Sequence, residues 1–229
     1  MIETNLIHAA WKAGVKRLLN FGSSCMYPKF CPQPMHPDQL MAGKMEPTSQ
    51  PYAIAKLAGM CLVDSYNRQY GTRYLTVIPC TVYGPGDSFD LHDAHVIPAL
   101  LRKIHEAKEA GSREVILLGS GAPRREFIYS DDVAQACELL LTREEVTQNP
   151  INLGPGISYS IREIAQEIAQ LIGFEGKIAW DRSCPDGAAE KLLDSRWIQS
   201  LGWKPKVNLK EGLKRTYRWF LEQRVCVSS

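Results

Sequence analysis

The sequence predicts an α/β fold built on a doubly wound parallel sheet. Short apolar runs of strand length end in turns rich in Gly, Ser or Pro, and amphipathic segments of helix length lie between them. This alternation is typical of parallel sheets, because parallel neighbours need a long crossover connection between them. Ligands of such sheets bind beyond the carboxyl ends of the strands, so the polar turns there are the candidate sites.

The first part of the chain contains two predicted helices and two predicted strands. Gly14 and Gly71 each follow an amphipathic run, and Pro51 suits the first turn of the second helix, with Thr48 or Ser49 as its cap. The apolar face of this helix is predicted to contain Ala53, Leu57, Ala58, Cys61 and Leu62. In order, we expect a helix over 5–13, a strand within 15–21, a proline-rich loop to 50, a helix over 51–70 and a strand over 74–79.

The second part of the chain continues the alternation with shorter elements. Ser160 and Glu163 form an S-x-x-E capping box, Ser130 precedes another helical run, and Asn208 is placed to cap the last helix. The predicted helices are 96–110, 131–141, one running from the capping box to 172, and one beginning after Asn208. The predicted strands are 115–118, 127–129, 151–153 and 177–180.

The composition excludes several classes of protein. The chain has 229 residues, 45% of them hydrophobic and 23% charged, which suits a globular protein with a sizeable core. A net charge of +2 predicts no general nucleic-acid surface, and no apolar run approaches the roughly 20 residues that cross a membrane. The seven scattered cysteines contain no C-x-x-C pair, so we expect neither a disulfide framework nor a metal site, and a cytoplasmic location.

Three motifs carry the candidate chemistry. Gly22-Ser23-Ser24-Cys25 follows the first predicted strand, Tyr52 and Lys56 lie one turn apart on the long helix, and residues 79–85 follow the next strand. An ammonium near a phenol stabilises the phenolate and makes tyrosine a usable acid or base. On spacing alone, an ordinary amphipathic helix is the better explanation, because a Tyr/Lys pair four residues apart often arises by chance.

Taken together, the motifs resemble the extended short-chain dehydrogenases/reductases, and within them the GDP-L-fucose synthases. The segments that carry this resemblance are residues 22–29, 46–48, 51–56, 65–71, 95–100 and 125–127, and it extends over 2–222. It implies a Rossmann-like NAD(P)-binding sheet over 1–92 and a smaller carboxyl-terminal α/β substrate domain over 93–229, with about 125–155 returning to the first sheet. It also implies that NADP(H) is the cofactor, a GDP-sugar the substrate, and a homodimer through the Tyr52 helix the assembly.

The resemblance assigns a role to each candidate residue. The implied activity is conversion of GDP-4-keto-6-deoxy-D-mannose to GDP-L-fucose, by epimerisation at C3 and C5 and reduction at C4. Tyr52 would supply the proton for reduction, Ser23 would hydrogen-bond the carbonyl, and Lys56 would stabilise the tyrosine and hold the nicotinamide ribose. Cys25 would be the base and His95 the acid of epimerisation.

The remaining implied contacts belong to the two ligands. Those implied for the cofactor are Phe21, Gly22, Ser23, Ser24, Tyr52, Lys56, Pro79, Cys80, Thr81, Val82 and His95. Those implied for the substrate are Lys103, Leu118, Arg125, Asp186 and Lys191. A lone cysteine is most often a core residue, but the place of Cys25 after Ser23-Ser24 at the end of a strand favours a functional role. Without the resemblance, His95 would be interpreted as a structural histidine.

One family motif has no counterpart in this sequence. Neither G-x-G-x-x-G nor G-x-x-G-x-x-G, which cradles the dinucleotide pyrophosphate, follows a predicted strand. The sequence therefore looks like a family member without its amino-terminal segment, and we expect an open sheet edge and an uncovered apolar face. Two alternatives stay open: another nucleotide-sugar epimerase or dehydratase of the same fold, and a non-catalytic module that binds a nucleotide or a partner.

Overall fold

A computed structural model describes the backbone of residues 1–227 and the side chains of 1–224. The helices are α1 (Ile2–Lys12), α2 (Gln50–Tyr70), α3 (Val96–Glu109), α4 (Ser130–Thr142), α5 (Ile161–Ile172), α6 (Arg196–Ser200) and α7 (Leu209–Val227). The strands are β1 (Leu19–Phe21), β2 (Leu75–Pro79), β3 (Thr81–Tyr83), β4 (Glu114–Leu118), β5 (Arg124–Tyr129), β6 (Ile151–Leu153), β7 (Ser158–Ser160), β8 (Lys177–Asp181) and β9 (Glu190–Lys191).

The first sheet is parallel, with the order β1-β2-β6. Leu19 pairs with Leu75, and Val77 pairs with Ile151, so the three strands end at one edge. Strand β2 is buried from Leu75 to Ile78, as expected for a central parallel strand covered on both faces. The predicted α/β class with a parallel sheet is confirmed.

The remaining strands form a four-stranded sheet and a two-stranded sheet. Strand β5 pairs in parallel with β3 and β9 and antiparallel with β7, while β4 pairs in parallel with β8. Because β3 follows β2 after one residue, the chain passes directly from the first sheet into the second. The carboxyl ends of β1 and β2 and the amino end of β5 are thereby brought towards the same region of the molecule.

Two large hydrophobic cores support these sheets. The first packs α2, β2, α4 and β6 together and also takes in Leu193, Ile198 and Trp203 from near the carboxyl end. The second packs α3, β4, β5 and α5 around residues such as Leu101 and Ile168. The first core therefore includes a late segment, 193–203, as well as 128–153.

Strand β1 lies at an edge, since β2 is the strand paired with it among the described residues. An open apolar groove of about 680 Å³ lies beside it, lined in part by Leu19, Phe21, Val82 and Leu141. Phe21 and Leu141 are each more than 40% exposed, which is unusual for large apolar side chains. No helix within residues 1–227 is long and apolar enough to cross a membrane.

Most of the predicted helices and strands are present, but some of them begin or end at other residues than predicted. The Ser160–Glu163 capping box forms as predicted, and the Asn208 side chain accepts a hydrogen bond from the N–H of Glu211. Ser49 is the N-cap of α2, but its side chain makes no capping hydrogen bond. Helix α1 begins at Ile2, three residues earlier than predicted.

The predicted apolar face of α2 is partly wrong. Ala53 and Leu57 are buried, whereas Ala58 and Cys61 are exposed. The buried face instead continues through Gly59, Met60 and Val63, because Gly59 lets α1 approach closely. A carbon placed on Gly59 would collide with the Glu3 carboxylate of α1, so glycine is required where the two helices pack.

Candidate active site

The turn after β1 brings two candidate side chains together. Gly22 is buried, and a carbon added to it would lie 2.8 Å from the sulfur of Met26, so only glycine fits there. The next residues form a 3-10 turn, Ser24–Met26, in which Ser23 Oγ accepts the N–H of Cys25 at 3.2 Å. A hydroxyl that accepts this bond keeps its own proton for donation to a ligand.

Helix α2 places Tyr52 and Lys56 beside that turn. The Lys56 ammonium donates to the Phe21 carbonyl at 2.8 Å and forms an ion pair with Glu3. It also lies 5.8 Å from the centroid of the Tyr52 ring, and half of Tyr52 is exposed. Lys56 thus ties α2 to the carboxyl end of β1 and brings a positive charge next to an accessible phenol.

Two further cationic side chains approach the turn from the second sheet. Lys191 Nζ lies 3.8 Å from Cys25 Sγ, and Lys191 pairs in the strand register with Arg125. Burial lowers the pKa of the Arg125 guanidinium, and the charges of Cys25, Asp186 and Glu46 oppose that effect. Because arginine stays protonated in proteins, this part of the site is positively charged.

Asp186 is held at the rim of the same region. The Ser120 hydroxyl and N–H both donate to its carboxylate, at 2.6 and 3.0 Å, and they hold the pKa of Asp186 below its usual range. Gly187 lies beside Arg125, since a carbon added to it would lie 3.4 Å from an Arg125 nitrogen. Asp186 is therefore a fixed anion close to the cationic pair.

A buried carboxylate supports this arrangement. Glu126 is 1% exposed, and its two oxygens accept the N–H of Gly156 at 2.6 Å and that of Leu193 at 3.0 Å. Burial raises the pKa of Glu126 to about 7, although the two backbone donors act in the opposite direction. Glu126 joins β5 to the loop after β6 and to the segment after β9.

His95 lies farther out, at the N-cap of α3. Its side chain is 73% exposed, and its Nδ1 lies 3.9 Å from the Asp87 carboxylate. Within residues 1–224, no hydrogen bond or ion pair joins His95 to Cys25 or to Tyr52.

Comparison with known proteins identifies one family for this chain, and two similar relatives share one name. Residues 1–154 match the family model described as the NAD dependent epimerase/dehydratase family. The chain belongs to this family. It is 47% identical to "GDP-L-fucose synthase 1" of Arabidopsis thaliana, over 98% of this chain and 69% of that protein. It is also 47% identical to "GDP-L-fucose synthase" of Escherichia coli (strain K12), over 97% of this chain and 72% of that protein.

A solved structure extends the match to the fold. The crystal structure of a GDP-L-fucose synthetase from Naegleria fowleri bound to NADP superposes with a TM-score of 0.90 at 28% identity. The superposition covers 97% of this chain and 71% of that chain. The chain therefore shares the Rossmann-like fold of these epimerase/dehydratase family members.

Apart from His95, at the N-cap of α3, the predicted cofactor residues lie around the carboxyl ends of β1 and β2. Phe21 and Val82 line the apolar groove beside β1, and Lys56 contacts the Phe21 carbonyl. Cys80 differs, because burial in the first core raises the pKa of its thiol and its N–H donates to Leu153. The other predicted positions at these strand ends are Gly22, Ser23, Ser24, Pro79 and Thr81. A phenol and an ammonium at the carboxyl end of β1 suit the nicotinamide end of NADP(H).

The predicted substrate residues are spread over four elements, α3, β4, β5 and β9, and the loop after β8. Arg125, Asp186 and Lys191 lie close together around Cys25. Lys103 is half-buried on α3, and Leu118 is 60% exposed at the end of β4.

Two residues of the site had no assigned role in the sequence analysis. Glu3 pairs with Lys56 across 53 residues, and no local pattern marks it. Glu126 lies inside a segment that resembles the family, next to Arg125, but its burial could not be read from its position. No alternation marks it as an inward carboxylate, since Arg125 precedes it and Phe127 follows it.

Proposed function

We propose that this chain is a GDP-L-fucose synthase, an NADPH-dependent enzyme that converts GDP-4-keto-6-deoxy-D-mannose to GDP-L-fucose. The observation that carries the proposal is the convergence of two sets of groups on residues 21–25. Lys56, one turn from Tyr52, contacts Phe21, and Lys191 contacts Cys25, so a carbonyl-reducing pair and a thiol flank one turn.

For reduction, the C4 carbonyl of the sugar would lie near Ser23 and Tyr52. The Ser23 hydroxyl would donate a hydrogen bond to the carbonyl oxygen, and Tyr52 would give that oxygen its proton. The Lys56 ammonium stabilises the tyrosinate that remains. NADPH, with its nicotinamide held near Lys56 at the carboxyl end of β1, would supply the hydride.

For epimerisation, protons must leave one face of the sugar and return to the other. The protons on C3 and C5 are acidic because each enolate formed is conjugated with the C4 carbonyl. Cys25 would remove each proton as a thiolate, and His95 would protonate the opposite face. His95 stands on the exposed N-terminus of α3, so its role requires the bound sugar to extend from the turn towards α3.

The substrate diphosphate would bind on the second half of the chain. Arg125 offers a planar fork for phosphate oxygens, and Lys103 adds a second cation. Leu118, at the end of β4, and Asp186, which Ser120 holds just beyond that end, would contact the nucleoside. The proposed division has a catalytic and cofactor part over 1–92 and a substrate part over 93–229, with about 125–155 returning to the first part, where β6 pairs with β2 and α4 packs in the first core.

Assembly and location are part of the same proposal. Ile2, Leu6 and Ile54 are more than 50% exposed on α1 and α2, and they would be covered in a homodimer formed through these helices. Light scattering should then give twice the mass of 25.7 kDa. Six cysteines within residues 1–224 are free thiols, which suits the reducing cytoplasm.

The decisive experiment follows deuterium and hydride separately. The purified chain is incubated with GDP-4-keto-6-deoxy-D-mannose in D₂O, with and without NADPH, and the products are analysed by NMR. Wild-type protein should exchange C3 and C5 protons without NADPH and reduce C4 with it. Cys25→Ala should stop the exchange and leave the fold intact, whereas Tyr52→Phe should stop reduction and leave the exchange.

The matched control is Cys61→Ala, which removes an exposed thiol from the outside of α2. It should leave both reactions unchanged. Exchange at the wild-type rate in Cys25→Ala would contradict the assignment of the base. A folded wild-type chain that neither binds NADPH in a fluorescence titration nor exchanges protons would contradict the proposal as a whole and favour the non-catalytic alternative.

A further inference from the structure

Lys191 and Cys25 meet although 166 residues separate them in the sequence. The Lys191 Nζ lies 3.8 Å from Cys25 Sγ, within the range of an N–H···S hydrogen bond, and both side chains are half-buried. An ammonium interacts with a thiolate far more strongly than with a neutral thiol, because only the thiolate carries a charge.

The position of Lys191 is fixed by the backbone on both sides of it. The β9 strand pairs with β5, which places Lys191 beside Arg125. One residue later, Leu192 exchanges two hydrogen bonds with the loop of the first half: its carbonyl accepts the N–H of Met35, and its N–H donates to the Gln33 side chain. Such anchoring is what a charge needs in order to act at a fixed distance.

A second cation, Arg125, lies near Cys25. Arg125 interacts with Cys25 as well, while the nearest acids are held by other groups. Glu46 is paired with Lys29 at 3.1 Å, and Asp186 accepts both donors of Ser120. Lys191 is left as the cation that contacts the sulfur directly.

We propose that Lys191 is a positioning residue for epimerisation, whose ammonium pairs with the Cys25 thiolate and keeps it charged and directed at the sugar. This role differs from the substrate contact that the family resemblance implies, and it rests on the proposed base function of Cys25. In the step itself, the thiolate takes the proton from carbon and becomes a thiol. The electron pair of the C–H bond passes into the enolate, which lies near the now unpaired ammonium.

The first test measures the charge at Cys25 without any substrate. Cys25 is alkylated with neutral iodoacetamide and with anionic iodoacetate at one pH near neutrality, and its modification rate is read by peptide mass spectrometry. Lys191→Met should slow both reactions at Cys25, and the anionic reagent by about a further fivefold, because about 1 kcal/mol of attraction is lost. The exposed Cys61 serves as the internal reference in every digest.

Two variants separate charge from folding. Lys191→Arg should keep the preference of Cys25 for the anionic reagent, since it keeps the positive charge. Lys204→Met removes an exposed lysine from the other side of the first core and should change nothing. Unchanged rates at Cys25 in Lys191→Met would overturn the proposed pair.

The second test separates positioning from substrate binding. In D₂O, Lys191→Met should lower kcat for exchange at C3 and C5 by about tenfold, the loss that follows from about 1.4 kcal/mol, while KM and C4 reduction stay near the wild-type values. A raised KM for both reactions with unchanged kcat would assign Lys191 to substrate binding instead. If the wild-type chain shows no exchange, the proposed function fails, and the alkylation rates still decide whether the pair exists.

Discussion

The buried Glu126 should make the stability of this protein depend on pH in an unusual direction. Most carboxylates in proteins gain partners on folding and lose stability when acid protonates them. Glu126 is 1% exposed, and burial raises its pKa to about 7 from the ordinary value of 4.5. The folded state therefore holds a proton on Glu126 between pH 4.5 and pH 7 that the unfolded chain has released.

The sign and size of the effect follow from that proton. Stability falls as pH rises wherever the folded state binds more protons than the unfolded state. One pKa unit corresponds to about 1.4 kcal/mol, so the full difference is about 3 kcal/mol. Between pH 5 and pH 8 we expect Glu126 to lower the free energy of unfolding by about 2.5 kcal/mol, because part of the change occurs below pH 5.

The assay is urea unfolding of wild-type protein and of Glu126→Gln at pH 5, 6, 7 and 8. The amide side chain of this variant cannot ionise, and all other groups are shared, so the difference between the two proteins isolates Glu126. The variant loses one acceptor for the Gly156 or Leu193 N–H, which costs about 1–3 kcal/mol at every pH. The free energy of unfolding of wild-type protein should fall steadily relative to that of Glu126→Gln from pH 5 to pH 8.

A difference that stays constant with pH would refute the buried-proton argument. A difference that grows with pH would mean that the two backbone donors outweigh burial and that Glu126 is an anion in the fold. Either result would be decided by four unfolding curves for each protein.

Two further predictions concern close contacts around the site. In the same urea assay, Gly121→Ala should lower the free energy of unfolding by about 2–4 kcal/mol, because residue 121 has a φ of +74° and the new carbon would lie 2.6 Å from Trp180. Gly111→Ala is the control, because residue 111 has a φ of +61° but the new carbon would meet no atom within 4 Å. This variant should cost only the roughly 1–2 kcal/mol of backbone strain. Glu3→Gln should raise the rate at which acetic anhydride modifies Lys56, because the ion pair that holds the Lys56 ammonium is lost. The rate is measured by mass spectrometry against the other lysines of the digest. An unchanged rate would show that the Phe21 carbonyl alone fixes Lys56.

Much of the fold follows from local patterns in the sequence. The capping box at Ser160, the glycine that ends α2 at Gly71, and the apolar run of β2 each have a local cause, and each lies where predicted. The strands β3, β7 and β9 have no such signal in the sequence. They are two or three residues long, and what makes them strands is pairing with β5, which no local pattern contains.

The same distinction applies to the site. Ser23, Tyr52 and Lys56 could be named because they fall in motifs with fixed spacing. The partners of those groups could not be found in this way, since Glu3 approaches Lys56 through the packing of α1 on α2. Burial likewise decides the properties of Glu126, and burial is a result of the whole fold.

The parallel pairing of distant segments also has a consequence for how the chain folds. Strand β4 pairs with β8, more than 60 residues later in the sequence, and the Cys25–Lys191 contact joins residues 166 positions apart. Closing such large loops costs chain entropy before any contact compensates for it, so folds rich in these pairings form slowly. We expect the helices to form early, the first sheet to be completed only when β6 pairs with β2 across 74 residues, and the residues around Cys25 to assemble in the last step. A newly made chain would then pass through a compact intermediate whose thiol is still open to oxidants.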